Sequence, residues 1–219
     1  MFRRGLQGLA RLPVARVLRV LALCSIAVVA AVGAWRGTSP LLVVSGIALW
    51  AAALDVIEPL AQELDHPDRW AGYPVAYGDL LLRHLVAPAL VLVVATAVPV
   101  GVVAVFVDPS NVLQTAAALL LPACAAAVFG AAASVATAPF DMASMNTLIP
   151  PETLGAQLIF RMIWPPAVAV LATLPVLAAK SAVEDHLSPF GGAMSFLLPV
   201  STMLALVGVW LSKRKPSRV

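Results

Sequence analysis

The chain has 219 residues, 61% of them hydrophobic and only 11% charged, with a formal net charge of +3 and a mean hydropathy of +0.96. A soluble domain carries about 25% charged residues, so this composition excludes an ordinary water-soluble enzyme or binding domain and indicates an integral membrane protein. The basic balance does not imply a nucleic-acid partner, because the arginines cluster beside apolar runs, where membrane topology accounts for them.

In chain order, residues 1–16 form a basic amphipathic segment. Arg3, Arg4, Arg11, Arg16 and Arg19 alternate with leucines and valines, so the segment is expected to lie in the membrane interface with its arginines toward headgroups. Pro13 separates it from the first span. A basic start and an apolar run also outline a signal peptide, but more apolar runs come after it, so a retained first helix is expected. The domain organisation that results is an interfacial segment 1–16, a six-helix transmembrane domain 17–212 and a basic cytoplasmic tail 213–219.

The first span is placed at 17–35, with Trp35 as an interfacial anchor. The second, 41–56, borders on the minimum of about 17 residues. An acid at the bilayer centre costs roughly 2.5–3.5 kcal/mol, so Asp55 and Glu58 mark its exit from lipid. The third span runs 79–107, capped by Asp79, with Asp79 and Arg83 at the spacing of a helical ion pair and a kink at Pro88 or Pro99. The fourth, 112–136, is rich in alanine. Gly130 and Ser134 lie four apart in it, the spacing that permits close helix approach, so it is read as an internal helix. The fifth span, 158–179, is interrupted by Pro165-Pro166 and Pro175. Loops at 137–157 and 181–192 flank it, and the sixth span is 193–211.

With the N-terminus inside, twelve of the fourteen Lys and Arg residues fall on the inner side and only Arg36 and Lys180 on the outer. This positive-inside bias fits an even number of helices with both termini cytoplasmic and the protein in the plasma (inner) membrane.

The sequence has no phosphate-binding loop, no H-E-x-x-H, no G-x-S-x-G and no Cys/His cluster at ligand spacing. No catalytic, cofactor or metal site is expected, and the chain is not read as an enzyme. Cys24 and Cys124 lie far apart within apolar runs and are read as small packing residues.

One stretch stands out: residues 55–84, DVIEPLAQELDHPDRWAGYPVAYGDLLLRH, hold six of the eleven acids and two of the three histidines. A short helix is predicted after Pro59, acceptable at a first helical position. Leu60 and Leu64 would share one face, with Gln62 and Glu63 toward water. The stretch is read as a docking element for a cytoplasmic partner, built from Glu58, Leu60, Glu63, Leu64, Asp65, His66, Asp68 and Arg69.

The basic N-terminal segment, six spans and an acidic proline-containing element between the second and third spans resemble the permease subunits of type-2 ABC exporters. The resemblance implies a coupling element at 58–69 that sits against a cytoplasmic P-loop ATPase subunit, an elbow helix at 5–19, and a second permease copy or homologue facing the first in the bilayer. The loop between the fifth and sixth spans is short for the small re-entrant helices many members carry there. Alternatives are a six-helix small-molecule binding subunit or secondary transporter, or a non-transport assembly or immunity protein. Neither would need an ATPase partner.

Overall fold

The computed structural model of the chain describes residues 13–64, 76–107, 109–137 and 151–213. Among these, all regular structure is helical. Helix α1 spans Val14–Trp35, α2 Leu41–Val56, α3 Glu58–Leu64, α4 Tyr77–Phe106, α5 Pro109–Thr137, α6 Pro151–Leu171, α7 Pro175–Glu184, α8 Pro189–Ser195 and α9 Leu197–Ser212.

Four helical stretches are long and apolar enough to cross a membrane: Val14–Trp35, Tyr77–Phe106, Gln157–Glu184 and Pro189–Ser212. Leu41–Val56 is a shorter apolar helix, and Pro122–Ala136 is an apolar stretch within α5. Four of the six predicted spans, the first, third, fifth and sixth, therefore coincide with these stretches, the second is a shorter helix, and the fourth falls within the 29-residue α5. The shortness of α2 has a local cause. Its 16 residues rise about 24 Å at 1.5 Å each, and the helix is confined between Pro40 and a bend at the fully buried Ile57.

Prolines set most helix starts. Pro13 and Pro40 precede α1 and α2, and Pro175 and Pro189 occupy the first turns of α7 and α8, positions where a missing N–H costs nothing. Ser188 completes the start of α8, its hydroxyl accepting from Gly191 N–H at 3.0 Å. Pro165 and Pro166, by contrast, lie inside a continuous α6. The break falls later, at 172–174, where Thr173 and Leu174 make three-residue turns to Val170 and Leu171 carbonyls. The region expected as a loop at 181–192 is thus partly helical, and α7 and α8 pack on each other. Asp79 is not the cap of α4: the helix begins at Tyr77 after Ala76, which leaves Asp79 in the first turn, where a carboxylate still favours the helix dipole. The Asp79–Arg83 pair is not among the ion pairs of the described residues.

α5 is the axis of the bundle. Ala123, Cys124, Ala126, Ala127, Val128, Ala131, Ala132 and Ala133 are all buried, as the alanine-rich composition predicted. Small side chains let α2, α4, α6 and α9 all come against it. A Cβ on Gly130 would collide with the Pro165 carbonyl oxygen of α6, and Ser134 Oγ donates back to Gly130 O at 3.1 Å. Trp164 of α6 meets Trp210 of α9 edge-on, with ring centroids 5.2 Å apart.

The two ends of the bundle differ. Trp35, at the end of α1, packs with Ala179 of α7 and Ala193 of α8, and Arg36 and Lys180 lie at this far end. The start of α1 lies at the opposite, charged end with the end of α2, where Arg16 meets Glu58. A Cβ on Gly78 would collide with the backbone of Ser212, so the start of α4 adjoins the end of α9.

Mid-bundle, the two cysteines meet. Thr96 Oγ1 of α4 donates to Leu92 O at 2.7 Å and lies 3.4 Å from Cys24 Sγ of α1, while Cys124 Sγ of α5 donates to it at 3.5 Å. All three residues are fully buried and both cysteines are free. Interhelical polar contacts in membranes contribute modestly, so Thr96→Val is expected to lower stability in detergent by only about 1 kcal/mol, read as a small fall in the thermal midpoint. A collapse of the bundle would show that this node does more than join three helices.

Candidate docking corner

The organising stretch of the sequence begins where α2 turns into α3. Apolar α2 must end when it reaches Asp55, and the buried Ile57 accepts from Leu60 N–H at 2.9 Å and Ala61 N–H at 3.2 Å, starting a new helical turn in another direction. α3 is the result. Its apolar side faces inward: Leu60 is only 3% exposed, and Leu64 is half-buried against the same core. Both leucines seal the bundle, so the surface α3 offers to solvent is polar, with Gln62 exposed.

Two ion pairs brace this corner. Arg16 Nη1 of α1 lies 3.1 Å from Glu58 Oε2, while Gln62 Nε2 donates to the other oxygen, Oε1, at 3.4 Å. One turn along α1, Arg19 Nε lies 3.2 Å from Asp55 Oδ2. The second pair is asymmetric. Asp55 is 11% exposed and Arg19 66%. Asp55 Oδ2 is buried without an aligned hydrogen bond, so what holds it is charge attraction across 3.2 Å rather than a directed bond.

Arg16 and Arg19, assigned from sequence to the headgroup interface, thus face acids of α2 and α3. Their pairing was not legible, because nothing in the spacing 16–58 or 19–55 marks a contact between helices so distant in sequence. Of the other proposed docking residues, Glu63 belongs to α3 by its backbone. Asp65, His66, Asp68 and Arg69, and the interfacial Arg3, Arg4 and Arg11, lie outside the described residues. His84, further along the stretch, has Nδ1 2.9 Å from Leu80 O. Among the described residues no three His, Cys, Asp or Glu side chains gather as metal ligands would.

The corner therefore combines a short helix, packed on the core by Leu60 and Leu64, with an acidic sequence immediately beyond it. Its described residues hold no nucleophile poised beside a base. Comparison with protein-family models, with characterised proteins and with solved structures finds no match to this chain.

Proposed function

We propose that the chain is the membrane-spanning permease subunit of an ATP-driven exporter of the type-2 ABC kind, which lacks an ATPase of its own and docks one through residues 58–69. The observation that carries this reading is α3: a seven-residue helix at the charged end, seated on the core by Leu60 and Leu64 and tied to α1 through Glu58. A push on such a helix reaches both α1 and α2 without first deforming a loop.

In this reading α2 and α5 complete six spans. The charged end is cytoplasmic by the positive-inside bias, both termini lie there, and the plasma membrane is the site of action. Six spans are few for enclosing a path, so two copies, or one copy and a homologue, face each other. ATP-driven closure of the ATPases then rocks the two bundles about their interface.

The test is a pull-down of the full chain from detergent-solubilised membranes, wild type beside Glu63→Ala/Asp65→Ala. That double variant leaves the Arg16–Glu58 pair intact and so spares the fold. A P-loop ATPase is expected to copurify with the wild type and to be lost from the variant. If none copurifies, or if both forms retain it equally, the docking role and the exporter reading fall together.

A further inference from the structure

A groove of about 590 Å³ runs along the outside of the bundle between α4, α5 and α9. Leu82, Leu85, Leu90 and Val93 of α4 line one wall, Phe129 of α5 the floor and Ala205 of α9 the other wall. Every lining residue is apolar, and Leu90 and Val86 are exposed at the open side, so the groove is reached laterally, from where the membrane lies. Gly208 keeps it deep: it carries no side chain at a place where even a Cβ would already touch Phe129, at 3.4 Å.

Its length and its charged mouth limit what fits. From Leu82 to Val93 the groove runs along α4 for about 16 Å at 1.5 Å per residue. That is roughly half of the ~30 Å hydrocarbon core, the depth of one leaflet. The end at Leu82 is the charged end of the bundle. Arg83 is exposed there and has no ion-pair partner among the described residues. Lys213, exposed and likewise unpaired among them, comes directly after Ser212, whose backbone abuts Gly78. Asp79 is the one acid in this first turn, so the mouth carries a net positive charge, and the sequence continues beyond Lys213 with Arg214 and Lys215.

We propose that this groove holds one acyl chain of an anionic phospholipid from the leaflet at the charged end, with the lipid phosphate at Arg83 and Lys213. The site stands on the membrane reading of the chain and is independent of any ATPase. The length of the groove selects a single chain inserted from one leaflet, and the guanidinium suits phosphate geometry. A second apolar groove, between α6 and α9, is lined by Trp164, Leu171, Leu198 and Leu206. It extends toward the far end, away from Arg83 and Lys213, and serves as the control.

Native mass spectrometry of the detergent-purified full chain, titrated with phosphatidylglycerol and separately with phosphatidylcholine, tests the site. The wild type is expected to bind one phosphatidylglycerol in preference to phosphatidylcholine. Ala205→Trp, a substitution at an exposed position that fills the groove, removes that binding, whereas Leu206→Trp, in the other groove, leaves it. Arg83→Gln, a surface change that spares the fold, lowers phosphatidylglycerol affinity about fivefold, the equivalent of one basic residue near an anionic surface, and leaves phosphatidylcholine unaffected. The proposal is overturned if the wild type shows no preference, if Ala205→Trp binds as the wild type does, if both tryptophan variants lose the lipid equally, or if Arg83→Gln changes nothing.

Discussion

Gly46→Leu is expected to abolish the folded bundle. A Cβ at position 46 would lie 2.5 Å from Val170 Cα and 2.8 Å from Val170 N and Cγ2, and two of those three atoms are backbone of α6. A flexible side chain could swing aside; a helix backbone cannot, so α2 and α6 must separate along their length. That opens the packing around Leu49, Ala52, Ala53, Ala169 and Ala172, all now fully buried. Overpacking a soluble core costs about 1–3 kcal/mol and at times more. The loss weighs more heavily here, because helices in lipid associate through close packing rather than through exclusion of water. The expected readout is the loss of the monodisperse species in size-exclusion chromatography of solubilised protein. Gly101, near the end of α4, has nothing within 4 Å of its virtual Cβ, so Gly101→Ala should be neutral or slightly stabilising, by up to about 1 kcal/mol on helix propensity. Equal stability of Gly46→Leu and Gly101→Ala would sink the argument.

The second large effect belongs to the brace between α1 and α2. Arg19→Ala leaves the Asp55 carboxylate nearly buried, with neither a cation nor an aligned donor at Oδ2. Breaking a fully buried pair in this way costs about 3–5 kcal/mol. Arg19 is largely in solvent, so part of that is screened, and about 2 kcal/mol is expected. Arg16→Ala should cost less than about 1 kcal/mol, because Arg16 and Glu58 are 30% and 38% exposed and water can replace either partner. Adding Asp55→Asn to Arg19→Ala removes the stranded charge and should recover most of the loss. A double-mutant cycle on thermal stability in detergent measures the coupling directly. If Arg16→Ala proves as damaging as Arg19→Ala, burial is not what distinguishes the two pairs.

Both effects depend on contacts between residues far apart in sequence, beyond the reach of local spacing. The apolar runs, the proline starts and the short helix after Ile57 were legible because each depends on residues within a turn or two of one another. Helices α2 and α3 fell where expected for this reason. The fifth and sixth predicted spans did not remain single helices. Of the two interruptions expected in the fifth span, Pro175 does open a new helix after the turn at 172–174, whereas Pro165-Pro166 stays inside α6, because proline in a packed apolar helix can be accommodated by its neighbours.

The candidate docking corner divides the same way. The sequence marked out the acidic stretch and the inward face of Leu60 and Leu64, since helical spacing alone sets which residues share a side. It could not tell that Glu58 is already engaged by Arg16, nor that Asp55, read only as an exit from lipid, is the more deeply buried partner of an ion pair. Likewise, Cys24 and Cys124, read as separate packing residues in distant apolar runs, both meet Thr96.

A helical, membrane-suited chain with one end richer in charge could be read from composition and periodicity, because both act locally and report burial directly. Which arginine meets which acid, which glycine admits a neighbouring backbone and where an apolar groove opens beside α9 are visible only in the assembled bundle. Those outcomes depend on how separate helices pack side by side, and no spacing along a single chain encodes them.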